Sequence, residues 1–132
     1  MHIPKIQLPQ KPTYIKFADN VDFYELFQKI NAHYDTCFLL ESLGPESMLS
    51  RYSIIGFDPP HIIKATNDSI QLDEKKYSVG NPFDALRKIV PQNIISRAYS
   101  GGLIGYISYE CINYFEPSLS VQTHTRFPQM LF

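Results

Sequence analysis

The order of short apolar runs along the chain is what most restricts its fold. Four runs of β-forming residues, Thr36–Leu40, Tyr52–Phe57, His61–Thr66 and Ser69–Leu72, lie between two stretches of helical period, and none exceeds six residues. Runs this short, bounded by Gly, Pro, Asn and Asp, are strands and not buried helices. TNDS, Thr66 to Ser69, is the hairpin turn joining the last two. A further strand is expected in GGLIGYISY, Gly101 to Tyr109, with its glycines where another backbone approaches closely or the sheet bends. The final RFPQMLF reads as one more strand just beginning.

Both helical stretches carry their own start signals. In DNVDFYELFQKI, Phe23, Leu26, Phe27 and Ile30 fall on one face, and Asp22 with Glu25 forms a capping box that also complements the helix dipole. NPFDALRKI repeats the device, with Asn81 as cap, Pro82 at the first helical position, and Phe83, Leu86 and Ile89 or Val90 facing the core. Pro91 ends that helix. A third helix is expected over Glu110 to Glu116. Antiparallel or mixed sheets with helices packed on them make the fold class α+β.

Composition sets the outer limits. With 132 residues the chain is one domain of ordinary size, able to bury roughly two-thirds of its unfolded surface. Hydrophobic residues at 44% against 19% charged exclude a disordered chain. Twelve Lys and Arg against thirteen Asp and Glu give no general attraction to nucleic acid or an anionic membrane. The Pro-rich leader, residues 1–12, is expected to run extended over a surface, docking late or fraying, and it lacks the apolar core of a signal peptide. With no apolar run long enough to span a membrane, a cytoplasmic protein is expected. Cys37 and Cys111 sit in apolar settings and are expected to be buried free thiols.

The usual chemical motifs are missing. Gly101, Gly102 and Gly105 lack dinucleotide-loop spacing, there is no C-x-x-C or H-E-x-x-H, and His2, His33, His61 and His124 are scattered. What remains is the way two strands begin and end. CFLLES puts four apolar residues directly before Glu41 and Ser42, and nine residues on from Ser42, RYSIIGFDP opens a second apolar run with Arg51. The residues by themselves allow two readings. Glu41 and Arg51 can be an ion pair at a sheet rim with Ser42 capping the following turn. Alternatively, carboxylate, hydroxyl and guanidinium converge beside an apolar wall, offering an acceptor for an ammonium, an adaptable partner and a fork for a carboxylate. Those are the needs of a free amino acid with a hydrophobic side chain.

The stretches LLESLGPESMLSRYSIIGFDP and GGLIGYISYECINYFE, together with the Asn81-Pro82-Phe83 helix start and FPQMLF, resemble the N-terminal part of anthranilate synthase component I, of the chorismate-utilising enzymes. The sister enzyme aminodeoxychorismate synthase component I, of the folate branch, shares the layout, but the LLES and RYS wording is closer to the anthranilate branch. The resemblance implies that residues 1–132 are the N-terminal regulatory and structural domain of a longer lyase, whose C-terminal chorismate-binding catalytic region is absent from this chain. That enzyme makes anthranilate and pyruvate from chorismate with Mg²⁺, using ammonia from a glutamine amidotransferase subunit; the Mg²⁺ ligands and catalytic residues belong to the absent region. It also implies a tryptophan feedback site, with the LLES motif carried by Leu39, Leu40, Glu41 and Ser42 and the basic position after it by Arg51. Gly101 to Glu116 is expected to serve the core first and an amidotransferase surface second. A free-standing amino-acid-binding module is the remaining alternative.

Overall fold

The computed structural model describes residues 3–7, 13, 15–16, 20–42, 52–90, 102–123 and 126–132. The chain forms two compact units, a smaller one over residues 15–60 and a larger one from residues 1–14 and 61–132.

Among its described residues, the smaller unit shows one helix and one antiparallel strand pair. Helix α1, Phe23–Asn31, starts where the capping box puts it, with the Asp22 carboxylate accepting the Glu25 N–H at 2.9 Å. Glu25 and Lys29, one turn apart, pair at 2.7 Å, a contact that contributes only a few tenths of a kcal/mol in solvent. At the other end the imidazole of His33 donates from Nδ1 to the Lys29 carbonyl at 2.8 Å, satisfying one of the last orphan acceptors. The apolar stripe is present, yet no residue of α1 is buried. The two strands described beside it offer little surface against which to bury that stripe. Strands β1, Cys37–Leu40, and β2, Ile54–Phe57, pair antiparallel, Cys37 with Phe57 through Leu40 with Ile54. Phe38 lies across from Gly56, and a methyl group on that glycine would sit 2.1 Å from the Phe38 ring. The ring therefore occupies the space that a side chain at position 56 would need.

Among its described residues, the larger unit shows a five-stranded antiparallel sheet with one α-helix packed on it. Its strands are β3 (Ile63–Thr66), β4 (Ser69–Leu72), β5 (Lys75–Ser78), β6 (Tyr106–Ile107) and β7 (Met130–Leu131), in the spatial order β5-β4-β3-β7-β6. Ile63 and Ala65 point inward from β3 while Lys64 points out, the period-2 alternation of a sheet with one buried face. Helix α2, Pro82–Ile89, begins at the expected cap, where the Asn81 side chain accepts the Phe83 N–H at 2.9 Å, and it buries Pro82, Ala85 and Ile89. These residues, with Ile63, Ile70, Leu72, Cys111 and Met130, form the core. Of the leader, residues 3–7 are described, and Ile3 and Ile6 pack on this unit's core. Ile6 is buried, and its N–H donates to the Ile89 carbonyl at 3.2 Å, closing the C-terminal end of α2.

The structure adds one strand to this unit and changes two expectations. Strand β5 reads as polar because it is an edge strand whose lysines face solvent. The strand expected over Gly101 to Tyr109 is paired only at Tyr106 and Ile107, since the chain turns at Ser108 into a 3₁₀ helix, Tyr109–Tyr114, in place of the expected helix from Glu110; Gly101 lies outside the described residues. Gly105 does mark a close backbone approach: a Cβ there would be 1.8 Å from the Leu131 carbonyl oxygen. The strand expected in the terminal stretch is present as β7, which sits between β3 and β6, and Phe132 exchanges backbone hydrogen bonds with Ile63 at 2.7 and 2.9 Å. Both cysteines are free; Cys111 is buried as expected, whereas Cys37 is only half-buried because β1 belongs to the thin smaller unit.

Candidate functional site

Antiparallel pairing of β1 with β2 places Glu41 at one end of the two-stranded ribbon. Because Leu40 is paired with Ile54, the chain leaves β1 at the same end of the ribbon where it enters β2. Glu41 and Ser42 follow immediately, and Tyr52 and Ser53 precede β2 on the other side. Leu40 is 47% exposed, and Glu41 and Ser42 are exposed too. Arg51 lies outside the described residues. The edge thus presents an apolar side chain, a carboxylate and a hydroxyl to solvent from one strand end, with donors and acceptors free to engage a small polar ligand.

The larger unit has two further concave places that the sequence did not single out. One open recess, about 610 Å³, lies beside Ile6, His61, Asp73, Lys75 and Tyr77. Within it the Asp73 carboxylate accepts from the Ile62 N–H at 2.9 Å and pairs with His61 Nδ1 at 3.0 Å. The Ile62 N–H, with His61 second, holds the Asp73 carboxyl below the ordinary carboxylate value. The other recess, about 500 Å³, is lined by Tyr106, Ser108, Glu110, Phe127 and Gln129 among others, and Arg126 stands 5.4 Å over the Phe127 ring. Nearby, the buried Gln129 side chain accepts from the Asn67 N–H and the Tyr114 hydroxyl, both at 2.7 Å. Burial raises the Tyr114 pKa. No sequence signal marks either group, since Gln129 is 62 residues from Asn67 and Asp73 is 12 from His61. Among the described residues no three His, Cys, Asp or Glu side chains gather as a metal requires, and no helix is long and apolar enough to cross a membrane.

An α+β segment with an antiparallel core sheet and an exposed polar strand end is the class that fold and edge define. No protein-family model matches the chain, and no solved structure matches it. It is 45% identical over 132 residues to anthranilate synthase component 1 of Leptospira biflexa, a match covering 98% of this chain and 29% of the relative. Anthranilate synthase component 1 of Methanothermobacter thermautotrophicus is 39% identical over 97 residues, covering 70% of this chain and 21% of the relative. The Saccharomyces cerevisiae protein of the same name is 34% identical over 125 residues, covering 88% and 21%. The chain is homologous to anthranilate synthase component 1 and fits an N-terminal portion of it. It spans less than a third of the length of these curated relatives.

Proposed function

We propose that the chain is the N-terminal regulatory and structural part of an anthranilate synthase component I, a cytoplasmic lyase of tryptophan biosynthesis that makes anthranilate and pyruvate from chorismate and ammonia or glutamine nitrogen. The observation that carries this reading is the similarity along 98% of the chain to a relative of that name. In this reading chorismate and Mg²⁺ are held by the region beyond this chain, and a glutamine amidotransferase subunit supplies ammonia. In this reading the 132-residue chain alone is inactive.

In the same reading, the β1–β2 strand end holds tryptophan as feedback ligand. Glu41 accepts from its ammonium, Ser42 supplies an adaptable hydrogen bond, Arg51 takes its carboxylate, and Leu40 begins the apolar wall. The pairing that sets Glu41 and Ser42 beside the start of β2 supports this arrangement. Inhibition follows if tryptophan binds one state of the enzyme better than another, since only differential affinity can shift an equilibrium.

Steady-state kinetics of the complete enzyme, with and without tryptophan, tests the reading. Ser42→Ala removes one ligand hydrogen bond and weakens inhibition by about two- to tenfold. Glu41→Gln keeps the shape but withdraws the charge facing the ammonium, a loss of about 1.5–3 kcal/mol in ligand affinity. Uninhibited turnover stays within twofold of the parent in both variants. Equal tryptophan sensitivity in parent and variants removes Glu41 and Ser42 from the site. A collapse of uninhibited activity instead makes Glu41 a sheet-rim ion pair with Arg51.

A further inference from the structure

We propose that the outer edge of β6 is a docking edge for a second copy of this chain, the two β6 strands pairing antiparallel with Ile107 opposite Ile107. Every residue concerned belongs to the larger unit. Among the described strands of its sheet, β6 is the outermost on one side and β5 on the other. On the inner side of β6 the Ser108 N–H donates to the Gln129 carbonyl at 2.8 Å. The N–H and C=O of one trans peptide plane point opposite ways, so the Ile107 carbonyl is turned away from β7. In an extended strand the N–H of the same residue follows it, and both groups face the outer edge. Two copies related by a two-fold axis can then exchange these groups, each Ile107 N–H donating to the other Ile107 carbonyl.

The two edges of the sheet are finished differently. β5 carries Lys75 and Lys76, the kind of charged edge by which a sheet resists pairing with its like. The segment from Gly102 to Tyr109 has no charged residue. It exposes Tyr106 at 39%, Ile107 at 51% and Tyr109 at 75%, and Phe127, 62% exposed, lines the same recess as Tyr106. Charge therefore favours a second copy at this edge: β6 meets β6 without like charges, whereas β5 against β5 would gather four lysines on one seam. The area points the same way. At about 200 Å² for a fully exposed large side chain, these four residues offer roughly 450 Å² per copy. Two copies cover about 900 Å², close to the roughly 1,000 Å² at which specific interfaces begin. An interface of that size holds a reversible dimer, with a dissociation constant on the order of 10 µM. The inference does not depend on what binds at Glu41 and Ser42.

Sedimentation of the 132-residue chain from about 5 to about 500 µM, with amide hydrogen exchange at both ends of that range, is the test. The weight-average mass should rise from near that of one chain towards that of two. Exchange at the Ile107 N–H should slow about fivefold across the range, while the Ser108 N–H, already bonded to Gln129, keeps its rate. Ile107→Lys sets two cations face to face and should hold the mass at that of one chain throughout. A parent that stays monomeric overturns the proposal and leaves this edge to a different partner. Association that persists in a folded Ile107→Lys variant, or that leaves exchange at Ile107 independent of concentration, overturns it as well. If Ile107→Lys does not fold, exchange at Ile107 in the parent decides by itself.

Discussion

Replacing Gly105 by Ala tests the closest backbone approach in the larger unit. The added Cβ would lie 1.8 Å from the Leu131 carbonyl oxygen, 2.7 Å from its carbon and 2.8 Å from the Phe132 Cα. All three are backbone atoms, so no side chain can rotate away. An ordinary C···O contact needs about 3.3 Å, so β6 and β7 must part by about 1.5 Å. That separation removes the pairing of Tyr106 with Leu131 and of Ile107 with Met130, and it pulls on the Ser108 N–H bond to the Gln129 carbonyl at 2.8 Å. Overpacking costs about 1–3 kcal/mol, and each hydrogen bond lost adds about 0.5–1.5. The expected loss is about 2–4 kcal/mol, a large share of the roughly 5–15 kcal/mol that holds a domain folded. In urea, at a mid-range slope of about 2 kcal/mol per M, the midpoint should fall by roughly 1–2 M. Gly102→Ala is the matched control, because nothing lies within 4 Å of its added methyl, and it should stay within about 0.5 kcal/mol of the parent. A Gly105→Ala midpoint equal to that of Gly102→Ala would refute the argument that the β6–β7 contact forbids a side chain.

Other consequences follow from the buried polar groups. Gln129→Leu leaves the Asn67 N–H without its acceptor in a part-buried place and should cost about 1–3 kcal/mol by urea unfolding, whereas Tyr114→Phe removes a donor whose loss costs about 0.5–1.5; a larger effect for Tyr114→Phe would contradict the network as drawn. Burial pushes the Cys111 thiol above its ordinary value of 9.0, so an alkylating reagent followed by mass spectrometry should label half-buried Cys37 first. The sign of the linked pH effect is fixed by that raised value: the unfolded chain ionises Cys111 first, so stability is intact below 9.0 and declines as pH rises from there through the folded value. A Cys111→Ala variant should lose that alkaline decline, as read from unfolding midpoints across pH.

Local chemistry determined much of this molecule. Asp22 and Asn81 cap their helices because a short acceptor side chain satisfies N–H groups that lack partners in any helix, whatever surrounds it. The hairpin at Thr66 to Ser69 and the neighbouring ends of β1 and β2 were legible for the same reason, since turn residues and a short intervening segment act over a few positions. The LLES stretch, Leu39 to Ser42, falls where β1 ends. What the tertiary structure alone decided is every relation between distant positions. β5 carries no apolar alternation because an edge needs none, β7 takes a central place that its two paired residues do not announce, and Ile6 joins a core whose other members begin at Ile63. Asp73 reads as an ordinary turn residue until the chain brings His61 and Ile62 within reach of its carboxylate. Periodicity and capping are local energies and are written in adjacent residues; strand order, close backbone approach and shared hydrogen bonds exist only once the chain has closed on itself.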